Sequence, residues 1–260
     1  MILDEIVDAA KIRIRKAREN ISLDEMMVLA VKSDPPFAFE KALKQKDISF
    51  ICEVKKASPS RGVIAYDFPY IKIAKEYEKA GAAAISVLTE PDFFLGSTDY
   101  LKDIKKNITI PVLQKDFIID EYQIYEAGMI GADAILLICA ILSMARLKKF
   151  FKIADNLGLS CLVEAHDEQE VKKAVEAGAR VIGVNNRSLK TFEVNINNSI
   201  SLREFVPKNI IFVSESGIKT ANDIKMLRKI GTDAVLIGET FMRSNNIKAE
   251  FDILRGRHCD

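Results

Sequence analysis

Five ionisable side chains, Glu53, Lys55, Lys115, Glu164 and Glu215, fall at the ends of short apolar runs, where a buried strand gives way to a loop. Side chains alternate sides along a strand, so Glu53 and Lys55 share the face of Ile51, while Phe50, Cys52 and Val54 take the opposite, apolar face. The same parity pairs Leu113 with Lys115, Leu162 with Glu164 and Val213 with Glu215. Buried charges are costly unless they face one another or a polar pocket. Opposite charges at close range keep one another ionised and shift proton affinities, so acid and base roles coexist near neutral pH. One charge after a strand is ordinarily the solvated start of a loop. Five on matching faces point to a shared acid–base site.

Other segments could hold a ligand. Glu215-Ser216-Gly217-Ile218 and Gly238-Glu239-Thr240 place small residues and backbone amides at expected helix starts, where partial positive charge suits a phosphate. Gly183-Val184-Asn185-Asn186-Arg187 offers amide and guanidinium groups that either orient an oxygen-rich ligand or make a polar turn, in a run that continues to Leu189. Phe94 and Phe117 follow strands and either floor an aromatic pocket or pack loops. His166 and His258, the only histidines, lie near neither a cysteine nor each other, so no metal site is expected. No glycine-rich nucleotide motif and no Ser-His triad occurs, so a nucleotide cofactor is not implied.

These residues must be positioned by regular elements, and the chain supplies a repeat. Four segments, around Gly81, Gly131, Gly178 and Gly231, each read as a helix end, a glycine cap and a short strand apolar on both faces. The glycines are separated by 50, 47 and 53 residues, room for two strand-helix units each. Intervening strands are expected at Ser49–Lys55, Pro111–Lys115, Ser160–Glu164 and Ile210–Glu215, with helix-period stretches between strands from Ile71–Ala80 to Asn222–Ile230. Eight strands alternating with helices predict an α/β fold, a (β/α)8 TIM barrel, over a doubly wound open sheet. The expected organisation is a single domain, 1–260, with an N-terminal helical extension (1–48) and a barrel (49–260). That extension, broken at Pro35-Pro36, serves either as a plug under the barrel or as a lid near its active mouth.

Composition narrows the partners. The 260 residues are 48% hydrophobic, enough for a large core, and Lys+Arg 38 against Asp+Glu 37 leaves a net charge of +1, so no global field favours nucleic acid or an anionic membrane. Cys52, Cys139 and Cys161 lie in apolar runs and Cys259 lies at the tail, reading as reduced thiols. The N-terminal residues lack a basic region followed by an apolar core, and no apolar run is long enough to span a bilayer. A cytoplasmic protein is expected, monomeric or weakly homo-oligomeric, acting on a small phosphorylated molecule.

The chain resembles the indole-3-glycerol-phosphate synthase family. The matching stretches are Glu53-Val-Lys55-Lys-Ala-Ser58-Pro-Ser60, Leu88-Thr-Glu90 with Phe94-Leu-Gly96-Ser97, Pro111-Val-Leu-Gln-Lys115-Asp116-Phe117, Leu162-Val-Glu164-Ala-His166, Gly183-Val-Asn185-Asn186-Arg187, Glu215-Ser216-Gly217-Ile218 and Leu236-Ile-Gly238-Glu239, in order over nearly the whole chain. The resemblance implies closure of an indole ring in 1-(2-carboxyphenylamino)-1-deoxyribulose 5-phosphate with release of carbon dioxide and water, without metal or organic cofactor. By motif, Lys115 resembles the general acid at the substrate carbonyl, Lys55 the partner of the substrate carboxylate, and Glu53 and Glu164 the acid–base pair. Asn185 and Glu215 resemble residues that hold the sugar hydroxyls, with Arg187 as a polar support. Ser216, Gly217, Gly238 and Glu239 match phosphate-binding positions, Ser58 a further contact, and Phe94 and Phe117 the aromatic pocket. Many relatives carry an aromatic residue in the first helix where this chain reads Leu3-Asp4-Glu5-Ile6; the helix's length and placement still favour the active mouth.

Two rival readings carry distinct marks. Another phosphate-binding barrel enzyme, such as phosphoribosylanthranilate isomerase, shares the late-strand phosphate site but uses one acid–base pair, commonly Cys with Asp, and Cys52 faces away from Glu53. A barrel kept as a scaffold would have lost one of Glu53, Lys115 or Glu164, and all are present.

Overall fold

In the computed structural model, which describes residues 2–188, 191–244 and 246–256, eight parallel strands close into a barrel. Leu189, His258 and Cys259 lie outside the described residues. The strands are β1 (Ser49–Val54), β2 (Ala84–Leu88), β3 (Val112–Lys115), β4 (Ala134–Ile138), β5 (Ser160–Ala165), β6 (Val181–Asn185), β7 (Ile211–Glu215) and β8 (Ala234–Ile237). Each pairs with the next, and β8 pairs with β1 (Ser49 opposite Ala234), so the doubly wound sheet, which would leave two open edges, is ruled out. The helices are α1 (Ile2–Asn20), α2 (Leu23–Leu29), α3 (Ala38–Leu43), α4 (Tyr70–Ala80), α5 (Thr98–Lys105), α6 (Glu121–Met129), α7 (Met144–Asn156), α8 (Glu168–Ala177), α9 (Asn197–Leu202), α10 (Ala221–Lys229), α11 (Glu239–Met242) and α12 (Ile247–Leu254).

The repeat has a local cause. Gly81, Gly131, Gly178 and Gly231 take φ of 100°, 83°, 93° and 75°, the left-handed conformation that lets a helix end and the chain turn into the next strand. Two of the four units add an aspartate two residues on. The Asp133 carboxylate accepts the Val112 N–H at 2.8 Å at the start of β3, and Asp233 accepts the Phe212 N–H at 2.7 Å in β7. The backbone N–H of Asp133 in turn donates to the Val112 carbonyl at 2.9 Å, and its carbonyl accepts from Ser160 at 3.0 Å. Each aspartate therefore ties together the bottoms of neighbouring strands.

Strand parity sorts the core. Phe50, Cys52 and Val54 face outward and pack under α4 and α12 in the layer between sheet and helices. Ile51, Leu113, Leu136, Leu162, Val213 and Leu236 face inward and fill the barrel. Cys139 and Cys161, like Cys52, are buried free thiols of the outer layer.

The extension serves both of its alternatives, with different helices. On α3, Phe39 and Leu43 are fully buried among the inward-facing residues; the Glu40 N–H donates to Ser160 Oγ at 3.3 Å and Ser49 Oγ donates to the Leu43 carbonyl at 3.1 Å. Ser49 and Ser160 open their strands, so α3 plugs the barrel bottom. Helix α1 lies at the opposite end. Its Arg13 reaches the buried Glu90 carboxylate after β2 and Asp92, both at 2.8 Å, and approaches Asp116 after β3 at 3.6 Å. Glu90 also accepts the N–H groups of Asp92, Phe93 and Phe94, so one satisfied buried charge fixes both the loop after β2 and the helix above it.

Two elements lie beyond the sequence expectations. The loop after β1 folds into a short hairpin pairing Ala57–Ser58 with Gly62–Val63, because its residues are polar and bend back on themselves rather than patterning as strand. Helix α12 follows the last repeat unit, where no further strand marks it; it is held by Phe251, stacked on Phe241 with centroids 4.5 Å apart. Replacing Asp133 with Ala strands the Val112 amide and the Lys105 ammonium, and is expected to cost about 1–3 kcal/mol. Urea unfolding should show a lower midpoint at unchanged slope, and a wild-type midpoint would contradict the role given to Asp133.

Candidate active site

The inward parity that buries Ile51, Leu113, Leu162 and Val213 continues upward to Glu53, Lys115, Glu164 and Glu215, which meet at the carboxyl end of the barrel. One pocket is lined by all five charges identified above and by Ser58, Phe94, Phe117, Asn185, Arg187, Ser216, Gly217, Gly238 and Glu239. Lys115 Nζ lies 3.4 Å from Glu164 Oε2 and 3.7 Å from Glu215 Oε2, and Glu53 pairs with Lys55. All three carboxylates are buried, so their charges interact through protein rather than water.

Three carboxyls around two ammonium groups cannot all be ionised at equal cost. Burial pushes the Glu53 carboxyl up, but the attraction of Lys55 and Lys115 prevails and holds it below the ordinary carboxylate range. Burial likewise opposes the Glu164 charge, and Lys115 and His166, with a hydrogen bond from Asn185, more than offset it; its proton affinity is lowered. Glu215 goes the other way. Burial, uncompensated by Lys115 and reinforced by the negative charges of Glu164 and Glu53, pushes it up to about 8. Desolvation disfavours the Lys115 cation, yet Glu164, Glu215 and Glu53 together raise its proton affinity above that of an ordinary lysine. Of the three carboxyls, Glu215 is therefore the one disposed to hold a proton, beside a protonated Lys115.

Two glycines make room for these groups. A Cβ at Gly183 in β6 would sit 2.0 Å from Glu215 Oε1, and one at Gly238 would sit 2.5 Å from Glu53 Oε1 and 3.2 Å from Lys55 Nζ. Any side chain at either position would displace a carboxylate. Gly238, singled out in the sequence for its amide, is thus also required as the wall behind Glu53.

The surrounding loops hold the remaining expected residues. Phe94 and Phe117 pack with ring centroids 5.9 Å apart. Asn185 Oδ1 accepts the Arg187 N–H at 3.0 Å, whereas its neighbour Asn186 turns away to bond Ser214 Oγ and the Ser216 carbonyl, each at 3.0 Å, locking the loops after β6 and β7 together. The Glu239 carboxylate is engaged by Arg61 at 3.2 Å, Arg243 at 3.4 Å and Arg187 at 3.9 Å. One expectation is corrected: Ser216 and Gly217 do not open a helix. They take consecutive left-handed conformations, φ 68° and 82°, in the loop, and α10 starts only at Ala221, where the Thr220–Asp223 capping box supplies the helix-start signal.

The first helix, favoured for the active mouth but given no site residue in the sequence, adds Ile2, Leu3 and Ile6 to the apolar lining of the pocket. Their helical spacing was visible, but only the tertiary anchor at Arg13 decides that they face the mouth. Sequence reasoning passed over Arg61, carried to Glu239 by the unforeseen hairpin, and over the place of His166 beside Glu164.

The comparisons agree with this geometry. A model of the indole-3-glycerol phosphate synthase family matches residues 3–254. The chain is 64% identical over 258 residues to an indole-3-glycerol phosphate synthase of Ruminiclostridium cellulolyticum, an overlap of 98% of this chain and 99% of that one. It is 58% identical over 249 residues to one of Endomicrobium trichonymphae, covering 95% of this chain and 96% of the relative. Among solved structures, 3-hexulose-6-phosphate synthase from Salmonella typhimurium superposes with a TM-score of 0.65 over 81% of this chain and 100% of that one; at 16% identity it speaks for the barrel alone. Since the family match spans helix α1 from Leu3, helix α3 and every charged strand end, the chain belongs to the indole-3-glycerol phosphate synthase family.

Proposed function

We propose that Lys115, Glu53 and Glu164 carry the proton transfers of the indole-3-glycerol phosphate synthase reaction, which this chain catalyses as a member of that family. The reaction closes the indole ring of 1-(2-carboxyphenylamino)-1-deoxyribulose 5-phosphate and releases carbon dioxide and water. The observation that carries these roles is the position of Lys115, within 3.4 Å of Glu164 and 3.7 Å of Glu215 in a pocket that also holds two aromatic rings.

Attack of an aromatic carbon on the ketone needs a proton delivered to the ketone oxygen as it becomes a hydroxyl. Lys115, kept charged by three carboxyls, is the group able to supply it. Lys55 faces the same pocket and suits the substrate carboxylate until it leaves as carbon dioxide. Loss of water then needs a base for the ring-closed intermediate, for which Glu53 and Glu164, with lowered proton affinities, are ready acceptors, and an acid at the departing hydroxyl, a role the second of the pair fills once it has taken up a proton. Glu215, carrying its proton at neutral pH, suits a hydrogen bond donated to a sugar oxygen, beside Asn185. The backbone amides of Ser216, Gly217, Gly238 and Glu239 suit the phosphate, with Ser58 and Arg187 at its edge. Phe94, Phe117 and the aliphatic face of α1 suit the anthranilate ring.

The same reading treats extension and barrel as one domain, supported by the Arg13 and Phe39 contacts, in a cytoplasmic, monomeric or weakly associated enzyme, supported by three buried unbridged thiols. Among the described residues no helix is long and apolar enough to cross a membrane.

Purified protein given the carboxyphenylamino substrate should develop indole fluorescence; no signal above the blank would sink the reading. Lys115→Ala should lower kcat by roughly 10²–10⁴-fold with KM changed far less, and wild-type turnover would remove Lys115 from the chemistry. Because the Glu215 value lies above the ordinary 4.5, its protonated form favours the folded state below that value, and this contribution is lost as pH rises toward about 8. Thermal unfolding of Glu215→Gln should therefore gain on the wild type from pH 5 to pH 9, whereas a constant gap would contradict a protonated Glu215.

A further inference from the structure

One partly buried titratable group beside the site has no part in the chemistry above. His166 directly follows β5, two residues beyond Glu164, and is packed against the first turn of α8. Its Nδ1 lies 3.1 Å from Glu170 Oε2, and the same oxygen accepts the His166 backbone N–H at 2.8 Å, so Glu170 fixes both ring and backbone. The other ring nitrogen, Nε2, is buried, has no hydrogen-bond partner, and stands 3.4 Å from Glu164 Oε1. Asn198 donates to the His166 carbonyl at 3.1 Å and ties the loop down.

Two carboxyls on opposite edges of one imidazole restrict where protons can be. With both carboxyls ionised, a neutral ring would point one lone pair at a negative oxygen. The alternatives are a ring protonated on both nitrogens, or a neutral ring whose Nε2 accepts a proton held by Glu164. In either case one proton is shared between Nε2 and Glu164 Oε1. The oxygen of Glu164 opposite that edge is the one that meets Lys115.

We propose that His166, held by Glu170, is a positioning residue that shares a proton with Glu164, so the acid–base group of the site is the Glu164–His166 pair. This rests on the acid–base role given to Glu164. The pair allows Glu164 to pass an accepted proton to Nε2 and return to its ionised form inside a substrate-filled pocket, without water entering. The groups facing the ring are Glu164 on its own strand, Glu170 from α8 and Glu215 from β7, with Lys115 of β3 beyond Glu164. Burial opposes the imidazolium, but the hydrogen bond to Glu170 and the charges of Glu164 and Glu170 raise its proton affinity above that of a free histidine.

Only two histidines occur in the chain, so the ring can be followed directly by nitrogen-15 NMR, with His258→Gln assigning the spectrum. His166 should titrate above a free histidine, and Glu164→Gln should lower its midpoint by a unit or more. A ring that stays neutral from pH 6 to 8, or a midpoint untouched by Glu164→Gln, would overturn the proposal whatever the turnover of that variant. Full turnover of Glu164→Gln would instead remove the acid–base role of Glu164 and leave the NMR result standing. As a second readout, His166→Gln should shift the acidic limb of kcat/KM to higher pH, because Glu164 loses its cationic neighbour. A uniform drop with the limb in place would mean that His166 serves packing only.

Discussion

Everything at the carboxyl end of this barrel depends on one electrostatic constraint: Lys115 is enclosed by three buried carboxyls that cannot all be ionised together. Lys55 neutralises Glu53, and Lys115 and His166 support the charge on Glu164. Glu215 shares Lys115, at 3.7 Å, with Glu164, and burial together with the Glu164 and Glu53 charges raises its proton affinity. The asymmetry follows from placement rather than residue type. It produces two proton acceptors and one neutral hydrogen-bond donor from chemically identical side chains at one pH.

The rest of the fold keeps those charges close. The α3 plug and the inward Leu, Ile and Val layers exclude water from below, which strengthens each interaction above. Gly183 and Gly238 let the carboxyls lie against neighbouring strands, with no Cβ in the way. From above, Glu90 gathers three backbone amides and Arg13, so the loop bearing Phe94 and the helix bearing Ile2, Leu3 and Ile6 are set by one buried anion. A barrel that ended in solvated loops would have dispersed the same five charges in water.

Strand parity made most of this legible in the sequence. A period of two is rigid, so Ile51 and Leu113 predict where Glu53 and Lys115 point, and the spaced glycines predict the eight-unit count. Long-range contacts were not legible. Whether the extension plugs or covers depends on Phe39 meeting the barrel interior and Arg13 meeting Glu90, 77 residues away, and neither contact leaves a local pattern. Ser216 and Gly217 read as a helix start from their small side chains and amides, yet the capping box at Thr220 sets the true start of α10. His166 carries no role legible in the sequence beyond its place in the Glu164-Ala-His166 stretch, since its value lies in the Glu170 contact one helical turn away.

The central claim is that one carboxyl in the mouth is protonated at neutral pH and that it belongs to Glu215. Infrared difference spectroscopy tests this most directly, by comparing the carboxylic-acid carbonyl band of the wild type at pH 6.5 and pH 9.5. The account predicts a band that disappears between those pH values, with a midpoint of about 8, and that is missing from Glu215→Gln. A spectrum without such a band, or one in which the band survives in Glu215→Gln, would contradict it.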